Sequence, residues 1–278
     1  FGLGEGKSKA MADSIGESGI YAYHINRIDK LIKPYGKRIM MWGDIAVNKP
    51  EIISRLRKDL IVLSWGYHAA ESFDDAINPF VKSGFDFMVA PGVGCWGELW
   101  PALGNAAVNI SNYTRDGAKF GAMGMMNTAW DDNGHNLFEY NWHGLTWGAE
   151  CSWNPASPLT GEAATHEREQ KLKQFNTNFD AVFFQNEGVT DLYFHIDSLR
   201  FREAKGLLGE SGFWEDILNF FPSNTNSETE TANRELAADA SEILNQIASL
   251  RKTTKRNAAN LDYAELVISR VIFAAHKN

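Results

Sequence analysis

The 278-residue chain carries a net charge of −8 with 44% hydrophobic and 22% charged residues, a globular composition with no basic surplus to meet a nucleic-acid backbone. No apolar run reaches the roughly 18 residues that a membrane-spanning helix needs. Two cysteines, Cys95 and Cys151, are too few for a disulfide framework.

The chain opens on "FGLGEGKSKAM", without an initiator methionine, a charged leader or an apolar leader. It reads as the continuation of a longer polypeptide, with which any export signal would have gone. Its glycines invite a phosphate-loop reading, but the glycine needed five residues before Gly6 is replaced by Phe1. A loop entering a helix is expected instead. "SGIYAYHINRIDKLIKPYG" then sets Ile20, Tyr23, Ile28, Leu31 and Ile32 at helical spacing, with Pro34-Tyr35-Gly36 as the stop. "KRIMMWGD" follows as a strand, and "PEIISRLRK" as a helix with Pro50 at its first position. Next come the strand "LIVLSWGY" and the helix "AAESFDDAINPFVKSG", which Pro79 should kink or break and Gly84 should cap. "FDFMVAPGVGCWGE", a weaker helix "AVNISNYTRDGAKFG" and "AMGMMNTAWDDNGH" complete the series.

The four strand-like runs are apolar without strict alternation, as in strands buried on both faces. Each ends on an aromatic and polar tip: Trp42 with Asp44, Trp65 with Tyr67, Trp96 with Glu98, and Trp130 with Asp131 and Asp132. The tryptophans recur at intervals of roughly 23 to 34 residues, which suits βα units, since a barrel of eight takes about 250 residues. The expected fold is therefore α/β: the C-terminal half of a (β/α)8 TIM-type barrel, about four βα units, over residues 1–155. Residues 156–278 are expected to be helical. There "HEREQKLKQFNTNFDAVFF", "DSLRFREAKGLL" and "LDYAELVISRVIFAAHK" read as helices, and "SNTNSETET" as a loop whose Ser227 and Glu230 form a capping box. Leu236, Ala240, Ile243, Leu244, Ile247 and Leu250 make a helical packing stripe.

In a parallel barrel, binding groups gather at the C-terminal ends of the strands, where the polar tips fall. Aromatics there can simply plug a barrel mouth. Eight of the nine tryptophans lie between residues 42 and 153, however, several of them beside Asp, Glu or Gly. Sugars need that pairing, because their C–H faces stack on rings while their hydroxyls bond carboxylates. Asp131 and Asp132 do not read as a catalytic pair, because neighbours on a strand point to opposite faces. His135 with Asp132 and Asn133 lacks a metal-ligand spacing, so neither metal nor cofactor is expected. His24 and His68 are isolated histidines, read as exposed or hydrogen-bonded. "NIS" at Asn109 and "NYT" at Asn112 are glycosylation sequons that matter only in a eukaryotic secretory route.

"KRIMMWGD", "LIVLSWGY", "VAPGVGCW" and "GMMNTAWDDNGH" followed by "GAECSWN" resemble, in this order, the second half of the catalytic barrel of glycoside hydrolase family 20, the β-N-acetylhexosaminidases. The resemblance covers roughly residues 1–155. It implies removal of terminal N-acetylhexosamine with retention, the substrate's acetamido carbonyl attacking the anomeric carbon to form an oxazolinium ion. It places the Asp-Glu pair that drives this step before Phe1, so no residue of this chain is expected to be the general acid. By resemblance Trp42 and Trp65 wall the sugar pocket, with Asp44 beside Trp42. Trp130 floors it, and Asp132 holds the outer hydroxyls. The family's acetamide-binding tyrosine has no counterpart in "VAPGVGCWGE"; Trp96 lines the pocket without that bond, or Tyr67 supplies it. The expected partner is an N-acetylhexosamine-containing glycan, with an edge-pairing dimer if a half-barrel stands alone. The alternative is a non-catalytic carbohydrate-binding or structural fragment.

Overall fold

The structure, a computed structural model, describes residues 3–132, 136–201 and 227–277. Of these, 66% are helical and 7% are in strands. The chain divides into two compact units: Phe1–Gly66, Ala70–Pro91 and Asn112–Met126 form one, and Tyr67–Ala69, Gly92–Ser111 and Asn127–Asn278 form the other.

The first unit begins with helix α1 (Lys9–Ile32), interrupted at Gly16, whose φ of 75° lies in a region open to glycine. Its end follows the sequence signal: Pro34 enters a 3₁₀ turn, and Gly36 turns left-handed at φ 64°. Strands β1 (Met40–Trp42), β2 (Ile61–Trp65) and β3 (Asp86–Ala90) form a parallel sheet in that order. Met41 stands opposite Val62, and Val62 opposite Phe87. Helix α2 (Asp44–Asn48) follows β1, and α3 (Asp74–Ser83) follows β2, running through Pro79 to a left-handed Gly84. Helix α4 (Leu103–Lys119) gives this unit its residues from Asn112 onward. Met41, Val62, Phe87 and Val89 of the sheet pack with Ile77 and Phe80 of α3 and Tyr113 of α4. Burying side chains of this size contributes about 1.5–3 kcal/mol each. Phe73 stacks on Tyr113 at 4.0 Å. The Tyr113 hydroxyl lies 2.9 Å from Ser64 Oγ, which donates to the Ala76 carbonyl, so the buried serine is satisfied.

The expected half-barrel does not form. Among the described residues there is one sheet of three parallel strands, and most of those residues are helical. The fourth run, "AMGMMNTAWDD", makes only two isolated parallel bridges, Val89 with Met125 and Gly92 with Thr128. Its composition explains the failure, since Gly, Ala and Asn are poor strand formers and it carries no Val or Ile. "PEIISRLRK" also departs from expectation, giving a 3₁₀ stretch over Pro50–Arg55 rather than an α-helix. Conversely, all of "AVNISNYTRDGAKFG" up to Lys119 lies within the 17-residue α4. Ala106, Ala107, Ile110 and Tyr113 are buried along it at helical spacing, and tertiary burial outweighs their local preferences.

The second unit is built on α5 (Asn141–Trp153), α6 (Gly161–Phe179), α7 (Val189–Ser198), α8 (Ser227–Arg251) and α9 (Asn260–Lys277). Helix α6 passes into a π turn at Asp180–Phe184. The Asp180 carboxylate accepts the Gly188 N–H at 2.8 Å and the Thr190 N–H at 3.0 Å, closing the first turn of α7. Along α8, Leu236, Ala240, Ile243 and Ile247 share a core with Leu261, Ala264, Val267, Ile268 and Val271 of α9. Trp100, Tyr140 and Tyr193 form a buried ring cluster, with Trp100 3.7 Å from Tyr140 and 5.1 Å from Tyr193. The run "DSLRFREAKGLL" is not one helix, since α7 stops at Ser198 and Leu199–Phe201 is a 3₁₀ turn. Its remainder, the loop "SNTNSETET" up to Asn226 and the Ser227 side chain lie outside the described residues. Among the described residues no helix is long and apolar enough to cross a membrane.

Candidate functional site

Three loop segments of the second unit meet at Gly92. It bridges to Thr128, and the next residue, Val93, donates its N–H to the Thr128 carbonyl at 2.9 Å. A Cβ on Gly92 would lie 2.9 Å from Tyr67 Cδ1 and 3.0 Å from Thr128 Oγ1. Glycine lets the Tyr67 ring and the Thr128 hydroxyl approach the backbone this closely.

The segments carry a rim of rings. Trp130 Nε1 donates to Tyr67 Oη at 2.8 Å. The Tyr67 and Trp96 rings lie 5.8 Å apart at 55°, and His68 meets Trp96 nearly edge-on at 6.3 Å. Trp96 and Trp130 remain 40% and 39% exposed. A single exposed indole is unremarkable, but two held around one tyrosine make an apolar patch. Asp131 and Asp132 are exposed beside it. Asp131 Oδ1 accepts the Asn136 N–H at 3.2 Å, so this carboxylate fastens its own loop. His135 and Asn133 lie outside the described residues.

Below the rim, Cys95 donates its thiol to the Trp130 carbonyl at 3.0 Å. Burial, with the Asp131 and Asp132 charges adding, pushes the thiol up to about 11. Cys95 is thus a packing group, since a nucleophile needs the thiolate. Glu98, on the Trp96 loop, pairs with Arg200 at 3.4 Å. Arg200 also donates to Asp197 Oδ1 at 2.6 Å and to the Trp100 carbonyl at 3.0 Å, while Asp197 Oδ2 accepts the Gly104 N–H at the start of α4. Burial raises the Glu98 carboxyl and Arg200 opposes the shift. These bonds make Glu98 an anchor of the loop.

Helix α4 supports the rim with two asparagines that the motifs did not reveal. Asn105 Nδ2 donates to the Tyr67 carbonyl at 2.7 Å, and its Oδ1 accepts the Ala69 N–H at 2.6 Å. Asn109 Nδ2 donates to the His68 carbonyl at 3.0 Å, and its Oδ1 accepts the Gly92 N–H at 3.0 Å. Asn109 and Asn112 are buried, and Asn112 Nδ2 donates to the Ala70 carbonyl in the first unit. Neither amide is open to a glycan, so both sequons are chance matches in the folded chain. The available signal was Asn105, Asn109 and Asn112 at helical spacing among apolar residues.

The other predicted residues belong to the first unit. Trp42 ends β1 half-buried. Asp44 opens α2, and Trp65, 40% exposed, ends β2. Asp44 and Trp65 line a cavity of 180 Å³ together with Asn48, Ser64 and Phe80. The structure thus gathers Tyr67, Trp96 and Trp130, with Asp132 adjoining, and separately gathers Asp44 with Trp65. Among the described residues no three His, Cys, Asp or Glu side chains are grouped to hold a metal ion. No protein-family model matches the chain, and no curated protein matches it. The resemblance to glycoside hydrolase family 20 rests on the four motifs alone.

Proposed function

We propose that this chain binds the terminal N-acetylhexosamine of a glycan on the Tyr67–Trp96–Trp130 rim, as the sugar-holding part of a β-N-acetylhexosaminidase-like glycoside hydrolase. One observation carries the reading: two exposed indoles are fixed about one tyrosine, with the exposed Asp132 two residues after Trp130. Ring faces of this kind take the C–H face of a pyranose, and Asp132 accepts bonds from its outer hydroxyls. Acetamido participation would supply the nucleophile within the substrate itself. The reading assigns the general acid to no residue of this chain, so binding without turnover is its expectation.

The test is intrinsic tryptophan fluorescence titrated with chitotriose, the β-1,4-linked N-acetylglucosamine trimer, against maltotriose as the control that lacks acetamido groups. Trp96→Ala and Trp130→Ala should each weaken chitotriose binding about two- to tenfold, the scale of a single aromatic contact. The unsubstituted chain should hydrolyse an aryl N-acetyl-β-glucosaminide negligibly, because a general acid contributes about 10² to 10⁴-fold. Absence of chitotriose binding, or binding indifferent to both substitutions, defeats the reading. Robust turnover would move the catalytic assignment into this chain.

A further inference from the structure

We propose that Asn109 is the positioning residue of the aromatic rim. Its one buried amide fastens the Tyr67–Ala69 segment to the segment beginning at Gly92, and so sets where Tyr67 and Trp96 stand.

The geometry separates Asn109 from its neighbours on α4. Asn105 bonds Tyr67 and Ala69, both on one segment, and so shapes that turn without joining it to another. Asn112 makes a similar bond to the Ala70 carbonyl, in the first unit and away from the rim. Asn109 spends its donor on one rim segment and its acceptor on another: His68 O lies 3.0 Å from Nδ2, and Gly92 N lies 3.0 Å from Oδ1. At 0% exposure, Asn109 has no water ready to replace either bond.

Small shifts at this point are transmitted. Gly92 already sits against the Tyr67 ring, with no room for a Cβ. The chain beyond it is pinned by Ala102 N–H to the Gly94 carbonyl at 2.9 Å, and the Trp96 turn is closed by Glu98 N–H to the Cys95 carbonyl at 3.3 Å. Loss of the Asn109 bonds is therefore felt as a shift of runs that stay held by Asn105 and by Val93 N–H: at Gly92 it re-aims Trp96, and at His68 it re-aims Tyr67 and, through Tyr67 Oη, the Trp130 indole. Close packing makes such elements move as blocks rather than flex locally. The effect on ligand binding rests on the carbohydrate reading of the rim; the effect on ring positions does not.

The experiment uses the full chain with Asn109→Ser, the closer-sized Asn109→Asp, and Asn112→Ser as a control for an equally buried amide. Three quantities are measured: thermal midpoint, the indole N–H resonances of Trp96 and Trp130 assigned by single Trp→Phe changes, and chitotriose affinity. Both serine variants should lower the midpoint. Asn109→Ser should shift the two indole resonances and weaken chitotriose about threefold to tenfold, the scale of the ring contacts that it misplaces. Asn112→Ser should leave both resonances and affinity in place. Asn109→Asp keeps the acceptor for Gly92 but loses the donor to His68, so it should move the Trp130 resonance more than that of Trp96; it serves alone if the serine variant does not fold. Indole resonances unmoved by either Asn109 change, or moved equally by Asn112→Ser, overturn the proposal. If the unsubstituted chain ignores chitotriose, the carbohydrate reading falls while the resonances still decide the role of Asn109.

Discussion

The Trp130 indole N–H donates to the Tyr67 hydroxyl at 2.8 Å, joining residues 63 positions apart into one surface. Trp130 is 39% exposed, so water can satisfy its N–H if the phenol is removed. Tyr67→Phe should therefore change stability by no more than about 0.5–1.5 kcal/mol, the net value of one hydrogen bond. The ring would lose its orientation, and chitotriose affinity should fall about threefold to tenfold in the same fluorescence titration. Unchanged affinity would show that the bond does not orient the indole for a ligand.

Gly92→Ala tests the meeting point of the three segments. The new Cβ would lie 2.9 Å from the Tyr67 ring and 3.0 Å from Thr128 Oγ1, so one of them has to move. Overpacking of this kind costs about 1–3 kcal/mol. Gly66→Ala is the matched control, since its Cβ would meet Tyr113 and Phe73 only at 3.6 and 3.7 Å, ordinary contact distances. Denaturant unfolding should show a clear loss for the first and little for the second. Equal losses would mean that glycine matters at position 92 for backbone freedom and not for the approach of Tyr67.

What could be read from the sequence was local chemistry. Gly36 and Gly84 were readable as stops because a left-handed cap depends on the residue itself. "RIMMW", "LIVLSW" and "FDFMVA" contain enough Met, Val, Ile, Leu and Phe to become buried strands, whereas "GAMGMMN" shares their apolar content without their β-branched residues and makes only bridges. The barrel inference failed at that step, by treating apolar runs of different strand-forming capacity as equal. The aromatic members of the rim were visible as types. Their division between the two units was not, because it depends on which segments meet in space: Trp65 and Tyr67 are two residues apart in sequence, yet they belong to different units. Asn109 was hidden for the same reason, since a buried asparagine is recognisable only from the backbones it bonds.

His143 gives the second unit a pH dependence. It is buried, with Nε2 2.8 Å from Asn176 Oδ1, and the rings of Phe175, Phe179 and Phe194 meet it edge-on at 5.3–5.4 Å. Burial lowers its pKa to about 4 from the ordinary imidazole value of about 6.5, against the opposing bond to Asn176. Between those two values the unfolded chain takes up a proton that the folded chain refuses, so stability falls as pH drops from about 6.5 to about 4 and this contribution levels off below. The full effect is about 3 kcal/mol, from 1.36 kcal/mol per pKa unit. His143→Gln can still donate to Asn176 but does not titrate. Its stability measured against the unsubstituted chain at pH 7, 5.5 and 4 should close the gap as pH falls. A constant gap would mean that His143 takes up its proton in the fold over the same pH range as in the unfolded chain.

Asp131 and Asp132 are adjacent exposed acids beside the rim. Asp131 Oδ1 holds the Asn136 N–H at 3.2 Å, a bond within its own loop. On the carbohydrate reading Asp132, two residues after Trp130, is the group that meets the sugar's outer hydroxyls. Charge-assisted bonds are roughly twice as strong as neutral ones, so Asp132→Asn should weaken chitotriose about tenfold, and Asp132→Ala about tenfold to a hundredfold. Either loss should shrink for an oligosaccharide whose terminal ring is deoxygenated at the outer positions, because the bond would already be missing. Asp131→Asn should leave affinity within about twofold, its amide oxygen still accepting from Asn136. Fluorescence titration of both variants with both sugars separates the alternatives. Equal losses at the two positions, or an Asp132 loss indifferent to deoxygenation, would assign the pair to holding the loop. A loss confined to Asp132 and erased by deoxygenation would identify a carboxylate that reads sugar hydroxyls.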